Sequence, residues 1–250
     1  VTGSAGFIGF HLATALLKKN HKVIGLDNQN RYYDLNLKKK RNYLLKKYKK
    51  YKFYKVDINK KNSIDNIFKK EKIDIVIHLA AQAGVRYSIT NPSIYVKTNF
   101  VGFHNIIQNC VDHKIKKFIF ASSSSIYGAD KRSKFKENFF TDKPLQLYAA
   151  TKKSNELVAH AYSSLYGLKC VGLRFFTVYG PWGRPDMSLF KFVKSILNNK
   201  YIEIFNKGNH FRDFTYIDDC ILGILKTIKF KSEKNFEIFN IASEKPIKLI

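Results

Sequence analysis

The chain has 250 residues, of which 45% are hydrophobic, and can bury the core of one domain or one and a half. No apolar run reaches the ~18 residues of a membrane-spanning helix, and no signal peptide is visible. Cys110, Cys170 and Cys220 match neither a disulfide framework nor a metal-ligand spacing, so the sequence predicts a cytoplasmic protein without a metal site.

The net charge of +26 would suit a nucleic-acid-binding protein. Only seven of the 45 basic residues are Arg, however, and specific nucleic-acid binders favour Arg for bidentate contacts. The scattered Lys, together with abundant Asn, Ile, Phe and Tyr, indicates a codon bias toward A and T. The densest basic run, 38–50, is interpreted as the solvent-exposed face of a helix, and no nucleic-acid partner is predicted.

A glycine-rich turn opens the chain. Gly3, Gly6 and Gly9 follow the end of an expected first strand and precede an amphipathic helix of about 11–19. Glycines permit a tight turn and a close approach of backbone to a pyrophosphate, which the helix N-terminus stabilises. We therefore predict a dinucleotide site, in a fragment that lacks a few N-terminal residues and a C-terminal segment.

The second strand, 22–27, ends in a carboxylate, Asp27, 18 residues after Gly9. A carboxylate at this place accepts hydrogen bonds from an adenosine ribose and repels a 2′-phosphate, which predicts NAD rather than NADP. Arg31 lies close by in sequence and would weaken that preference.

Strands and helices alternate over the first 180 residues. Further strands are expected at 53–58, 73–80, 116–121 and 168–176, and helices at 91–111 and 146–162. This alternation predicts an α/β fold with a doubly wound parallel Rossmann sheet, in which ligands bind at the carboxyl ends of the strands. His78, inside an apolar strand, is interpreted as a core residue.

The alternation weakens after residue 180. We expect helices at 190–198 and 218–228, strands at 202–205, 211–215 and 236–241, and the start of another helix at 246–250. The predicted division is an NAD-binding Rossmann domain at 1–177, a small, truncated C-terminal substrate lobe at 178–235, and a return to the sheet at 236–250.

Tyr148 and Lys152 are four residues apart and share one face of the expected helix. A neighbouring ammonium favours the phenolate, so Lys152 is expected to lower the pKa of Tyr148 and let it act as a base. Tyr and Lys are common in this chain, and an aromatic core residue beside a solvated Lys is the alternative. The serines of 122–125, which follow an apolar strand, favour the catalytic interpretation because they add hydroxyl groups.

These three motifs, in this order, resemble the extended branch of the short-chain dehydrogenase/reductase superfamily. The segments 80–88, 174–187 and 212–219 further resemble the UDP-glucuronate 4-epimerases. The resemblance covers the whole chain, and it implies NAD-dependent C4 epimerisation of a UDP-sugar for surface polysaccharide and a homodimer formed by the 93–111 and 146–162 helices.

The resemblance also implies residue roles. Tyr148 would be the base, Lys152 would lower its pKa and hold the nicotinamide ribose, and Ser123 would bind the sugar C4 oxygen. The implied cofactor residues are Gly3, Gly6, Phe7, Ile8, Gly9, Asp27, Asn28, Asp57, Ile58, Leu79, Ala80, Ala81, Asn99, Tyr148 and Lys152. The implied substrate residues are Ser124 and Ser125 near C6, Thr177 with Arg86 or Arg184 for a C6 carboxylate, and Arg212 for the UDP pyrophosphate.

Related reactions begin with the same oxidation. A 4,6-dehydratase needs an Asp-Glu pair where this chain has Ser124 and Ser125, and UDP-glucuronate decarboxylases carry Glu at the position of Ser125, so both are disfavoured. Another nucleotide-sugar 4-epimerase stays open, because few residues distinguish the sugars. A non-catalytic basic NAD- or RNA-binding protein is the remote alternative, and the set of Ser123, Tyr148 and Lys152 argues against it.

Overall fold

A parallel sheet of six strands forms the centre of the protein, whose computed structural model describes residues 1–129, 134–209 and 211–248. Thr2 forms isolated parallel bridges with Leu26 and His78 and occupies the position of the expected first strand. The six strands are β1 Val23–Asp27, β2 Tyr51–Lys55, β3 Ile75–His78, β4 Lys117–Ser123, β5 Lys169–Phe175 and β8 Phe236–Ile241. The order across the sheet is β2-β1-Thr2-β3-β4-β5-β8, and each named neighbour pairs in parallel.

Helices cover both faces of this sheet, because the strands are apolar on both sides. The helices that cover it are α1 Phe7–Lys18, α2 Leu35–Lys46, α3 Lys61–Lys70, α6 Gly102–Asp112, α7 Leu147–Tyr166 and α9 Ile217–Lys229, and two short helices, α4 Tyr87–Thr90 and α5 Pro92–Tyr95, precede α6. One core cluster joins the sheet to α1, α2 and α9, and the other joins it to α3, α6 and α7. The doubly wound α/β fold is thus confirmed.

A π-helical segment, Val96–Val101, joins α5 to α6 within the expected helix of 91–111. π segments accommodate one extra residue and frequently lie at functional sites. Here the segment contains Asn99, whose side chain is buried and whose backbone carbonyl accepts a hydrogen bond of 2.7 Å from Asn155 of α7.

A small second sheet follows β5. Its strands are β6 Thr177–Tyr179, β7 Phe211–Tyr216 and β9 Pro246–Lys248, with β6 and β7 parallel and β7 and β9 antiparallel. The helix α8, Ser188–Leu197, has no buried residue. The predicted domain boundaries at 177 and 235 stay a prediction.

Three expectations about local structure are wrong. The strand expected at 202–205 is absent: residues 202–204 form no regular element and Phe205 begins a 3₁₀ helix. Ile204 is 46% exposed and the preceding Tyr201 is fully exposed, so pairing there would gain little burial. Residues 246–248 form β9 instead of the start of a helix, since they pair with β7, and residues 249–250 lie outside the described part. Lys38 and Arg41 are buried rather than on a wet face, because both bind backbone oxygens of the loops near them.

Among the described residues, no helix combines the length and the apolar character needed to cross a bilayer. The predicted cytoplasmic location stays a prediction.

Candidate active site

The glycine turn lies at the carboxyl end of the sheet and is too tight for side chains. Gly3 has φ +70°, and a Cβ there would lie 2.9 Å from the backbone N of Ala80. A Cβ at Gly9 would come within 2.1 Å of the carbonyl oxygen of Gly3. Gly6 caps α1 without a side-chain hydrogen bond, and no acidic residue lies in the first turn, so the positive helix end that includes Phe7 and Ile8 suits a pyrophosphate.

Asp27 ends β1 directly beside this turn. Its carboxylate accepts hydrogen bonds from the backbone N–H groups of Ala5 (3.1 Å) and Gln29 (2.7 Å). Burial raises the pKa of Asp27, and these hydrogen bonds and the charge of Lys38 oppose that rise. Each oxygen retains a lone pair, so the carboxylate can still accept a ribose hydroxyl.

The loops after β2 and β3 complete the expected cofactor region. Asn28 donates a hydrogen bond of 3.1 Å to Asp57, and Ile58 beside it is buried. The amide of Asn99 accepts from the N–H of Gln82 (2.7 Å) and donates to its carbonyl (3.0 Å), which fixes the backbone of the loop after β3. Leu79, Ala80 and Ala81 precede Gln82 in that loop, so all the predicted cofactor residues outside α7 lie on the sheet end or on segments packed against it.

Ser123, Tyr148 and Lys152 come together where β4 meets α7. Ser123 is the last residue of β4, and Tyr148 lies in the first turn of α7, near enough for the Ser123 hydroxyl to act on the pKa of its phenol. The ammonium of buried Lys152 donates a hydrogen bond of 2.8 Å to the carbonyl of Ala121. The alternative of a solvated Lys beside a core aromatic is therefore wrong for Lys152.

The expected lowering of the pKa of Tyr148 by Lys152 is also wrong for this structure. Desolvation raises the pKa of Tyr148, and the hydrogen bond with Ser123 and the positive charge of Arg184 partly oppose it. Desolvation also lowers the pKa of Lys152 to about 8, while its ammonium is bound to a strand carbonyl. The guanidinium of Arg184, which the sequence did not connect with the base, favours the phenolate instead.

Two residues beside the site were missed by sequence reasoning. Glu156, two turns beyond Tyr148 on α7, accepts hydrogen bonds from Ser122 and from Arg174, the latter through two bonds of 2.9 Å. Arg174 and Glu156 form a buried ion pair. An Arg inside the otherwise apolar strand of 170–175 was the available sequence signal, because a buried charge needs a partner.

The predicted substrate residues are only partly brought together. The backbone N–H of Ser125 lies 3.2 Å and its hydroxyl 2.9 Å from the Oγ of Ser123, and Ser124 lies between them. Thr177 is half-buried at the start of β6, next to the carboxyl end of β5. Arg184 lies near enough to Tyr148 for its charge to affect the phenol.

The other two predicted arginines lie on the surface. Arg86, just before α4, has an exposed side chain. Arg212 on β7 is also exposed, and its guanidinium donates to the carbonyl of Phe211 (2.8 Å).

Arg184 has a partner of its own. Its Nε donates to the carboxylate of Asp186 (3.1 Å), its NH2 group binds the other oxygen, and the hydroxyl of Tyr32 donates to Asp186 as well (3.2 Å). Two of the five guanidinium donors are thereby used, and three remain for a ligand.

Comparison with known proteins agrees with this arrangement. Residues 1–242 match the family described as "NAD dependent epimerase/dehydratase family". The chain belongs to this family. An uncharacterized protein of Methanocaldococcus jannaschii is 52% identical over 252 residues, covering 100% of this chain and 77% of that protein. A UDP-glucuronate 4-epimerase of Thermodesulfobacterium geofontis is 46% identical, covering 98% of this chain and 75% of its own length.

Solved structures of the family show the same architecture. The UDP-glucuronic acid 4-epimerase of Bacillus cereus, in complex with UDP-glucuronic acid and NAD, superimposes with a TM-score of 0.92 at 36% identity. The alignment covers 99% of this chain and 78% of that one. The family resemblance inferred from the motifs is therefore confirmed, together with the fold.

Proposed function

We propose that this protein is an NAD-dependent UDP-sugar 4-epimerase that interconverts UDP-glucuronate and UDP-galacturonate. The observation that carries the proposal is that Ser123 at the end of β4 and Tyr148 and buried Lys152 on α7 lie together at the strand ends that also carry the glycine turn. Relatives that bear the name UDP-glucuronate 4-epimerase support the choice of substrate.

The side chains at the site supply acid–base chemistry. Tyr148 takes the proton of the C4 hydroxyl as a phenolate, which the charge of Arg184 and the Ser123 hydroxyl favour against the opposing desolvation, and Ser123 hydrogen-bonds the C4 oxygen as it becomes a carbonyl. Bound NAD⁺ supplies the acceptor for the C4 hydride and afterwards returns that hydride. After the 4-keto sugar turns in the pocket, Tyr148 gives the proton back to the C4 oxygen, so the sugar changes configuration without net oxidation.

Incubation with UDP-glucuronate and NAD⁺, followed by chromatographic separation of the UDP-uronates, tests the proposal. The expected product is UDP-galacturonate, and equilibrium should be reached from either side. A decarboxylated UDP-pentose formed from UDP-glucuronate would point to a decarboxylase instead. A 4-keto-6-deoxy sugar formed in a parallel incubation with UDP-glucose, whose C6 hydroxyl can be eliminated, would point to a 4,6-dehydratase. If UDP-glucose is converted faster than UDP-glucuronate, the uronate assignment fails and only the 4-epimerase assignment stands.

The cofactor is expected to be NAD rather than NADP. The carboxylate of Asp27 repels a 2′-phosphate and accepts a ribose hydroxyl, whereas exposed Arg31 would attract the phosphate. Isothermal titration with both cofactors should therefore show tighter binding of NAD⁺, and Arg31→Ala should widen the difference. Equal or reversed affinities in the wild-type protein would mean that Arg31 overrides Asp27.

A homodimer is part of this proposal. Exposed apolar side chains lie on the π segment and on α7, namely Phe100 (45% exposed), Leu157 (60%) and Leu165 (72%), and these two elements pack on each other. An apolar face of this kind favours self-association. Sedimentation should show a dimer that Leu157→Glu converts to monomer, whereas Tyr43→Glu, at an exposed aromatic on α2, should leave it intact. A wild-type monomer at micromolar concentration would contradict this part.

A further inference from the structure

Arg41 is buried inside a helix whose sequence is rich in lysine. Its side chain has no exposed surface, although Lys39 and Lys40 beside it are exposed. NH1 donates to the carbonyl of Ala5 (3.1 Å) and to the hydroxyl of Tyr33 (2.9 Å). NH2 donates to the carbonyls of residues 182 and 183, the second at 3.0 Å. One guanidinium thus binds the glycine turn and a loop about 140 residues further along the chain.

That loop, residues 181–183, is held by contacts with side chains of α1 as well. The ring of His11 on α1 is bonded to the carbonyl of Pro181 (2.9 Å), and the ring of Phe10 lies 5.7 Å from that of Trp182. Trp182 has φ +57°, a left-handed conformation that is unfavourable for a bulky residue. Hydrogen bonds from His11 and Arg41, rather than a favourable backbone conformation, therefore keep the loop in place. Arg184 follows this loop directly in the chain.

The burial of Arg41 is costly. All four of its hydrogen bonds go to neutral oxygens, and its Nε has no hydrogen-bond partner in the described part of the chain. A buried cation that is hydrogen-bonded to no carboxylate lowers stability, although the nearby charge of Asp27 offsets part of the cost, and a buried donor without an acceptor adds to it. Only the planar fork of Arg reaches acceptors on two sides at once, which the single nitrogen of Lys does not. The cost is consistent with a role in the geometry of the site.

We propose that Arg41 is a positioning residue that couples the cofactor turn to the substrate-side loop. It fixes the carbonyl of Ala5, whose N–H is bonded to Asp27, and through residues 182 and 183 it fixes the start of the segment that carries Arg184. The inference rests on the proposed function for its substrate side. By this proposal, the side chain of Arg41 sets the position of the cofactor turn relative to the loop that precedes Arg184.

Two measurements on Arg41→Lys test this coupling, with Lys40→Gln on the exposed side of the same helix as the control. In equilibrium titration, Arg41→Lys should bind NAD⁺ roughly 10-fold more weakly, the effect of losing one or two well-placed hydrogen bonds. Lys40→Gln and Arg184→Ala should bind it within about twofold of the wild-type protein, because neither contacts the turn.

The second measurement is a double-mutant cycle on kcat/KM for UDP-glucuronate at saturating NAD⁺, so that the weaker NAD⁺ binding of Arg41→Lys does not enter the rates. If Arg41 acts through the loop of Arg184, the Arg41→Lys and Arg184→Ala double variant should be no slower than the slower single variant. Losses that multiply, or NAD⁺ affinity unchanged in Arg41→Lys, would overturn the proposal. A general loss of folding would not produce non-additivity confined to this pair.

A milder variant is available if Arg41→Lys does not fold. Tyr33→Phe removes one acceptor from NH1 and leaves the guanidinium in place, so it should weaken NAD⁺ binding by about two- to fivefold. Unchanged binding in a folded Tyr33→Phe would then overturn the proposal. A wild-type protein that binds NAD⁺ but converts no UDP-sugar would overturn the proposed function instead, and the titrations would still decide the role of Arg41 at the cofactor turn.

Discussion

Tyr148→Phe is expected to lower kcat by about 10²–10⁴-fold, the usual contribution of a positioned acid–base group. The phenol is the group that exchanges the proton with the C4 hydroxyl, and Phe keeps the ring while removing the oxygen. The ring of Tyr148 meets that of Tyr95 edge-on at 6.1 Å, a contact that Phe preserves, so the fold should persist. Turnover of UDP-glucuronate, circular dichroism and NAD⁺ titration together measure the effect.

Tyr162→Phe is the matched control. Tyr162 lies on the same helix, and its hydroxyl donates to Gln108 (2.7 Å), away from the strand ends. Its loss should leave kcat close to that of the wild-type protein. If Tyr148→Phe retained near wild-type turnover in a folded sample, Tyr148 would not be the base and the mechanism would be wrong.

Arg184→Ala is expected to lower kcat/KM for UDP-glucuronate by roughly 30- to 4,000-fold, and that for UDP-glucose far less. Truncating one partner of a buried, hydrogen-bonded charge pair costs about 2–5 kcal/mol, and each 1.4 kcal/mol is a factor of ten. A uronate carboxylate would lose its guanidinium, whereas a neutral hydroxymethyl group has no such need. The ion pair with Asp186 leaves three donors for this task.

Arg212→Ala separates the two roles that an arginine can have at this site. Arg212 is the residue expected to bind the UDP pyrophosphate, which both substrates share, so its loss should lower both kcat/KM values by similar factors. Similar losses for the two substrates in Arg184→Ala would instead assign Arg184 to the diphosphate, and Arg86 would become the leading candidate for the carboxylate.

Much of the fold could be predicted from the sequence because its strands are long apolar runs that end in diagnostic residues. β4 ends in Ser123 and β1 ends in Asp27, and both lie at the carboxyl end of the sheet as expected. The spacing of Tyr148 and Lys152 placed both on one helix face, since helical periodicity is a local property. The strand expected at 202–205 failed because pairing depends on neighbours that a local pattern does not reveal.

Burial and electrostatics could not be predicted in the same way. Lys38 and Arg41 lie in a run of charges, and their partners are set by loops that meet only in the folded chain. The pKa of Tyr148 is governed by desolvation, by Ser123 and by Arg184, 25 and 36 residues away in sequence, rather than by the adjacent turn of its helix. The spacing of two residues in sequence predicts whether their side chains meet, but burial and other nearby charges decide whether the pKa rises or falls.

The π segment makes the number of residues between α5 and α6 important for the cofactor loop. Deleting one residue from 96–101 would restore regular α-helical hydrogen bonding, whereas the same deletion in most helices would only disrupt packing. A deletion in a regular helix turns everything beyond it by about 100°, whereas here α5 and α6 would keep their phase and only the residues of the π turn would change position. Asn99 would then leave Gln82 and Thr151, and Phe100 would leave the exposed face. Substitutions in this helix keep its length. A deletion in the π segment would make the backbone regular but would remove the hydrogen bonds between Asn99 and Gln82 that hold the cofactor loop.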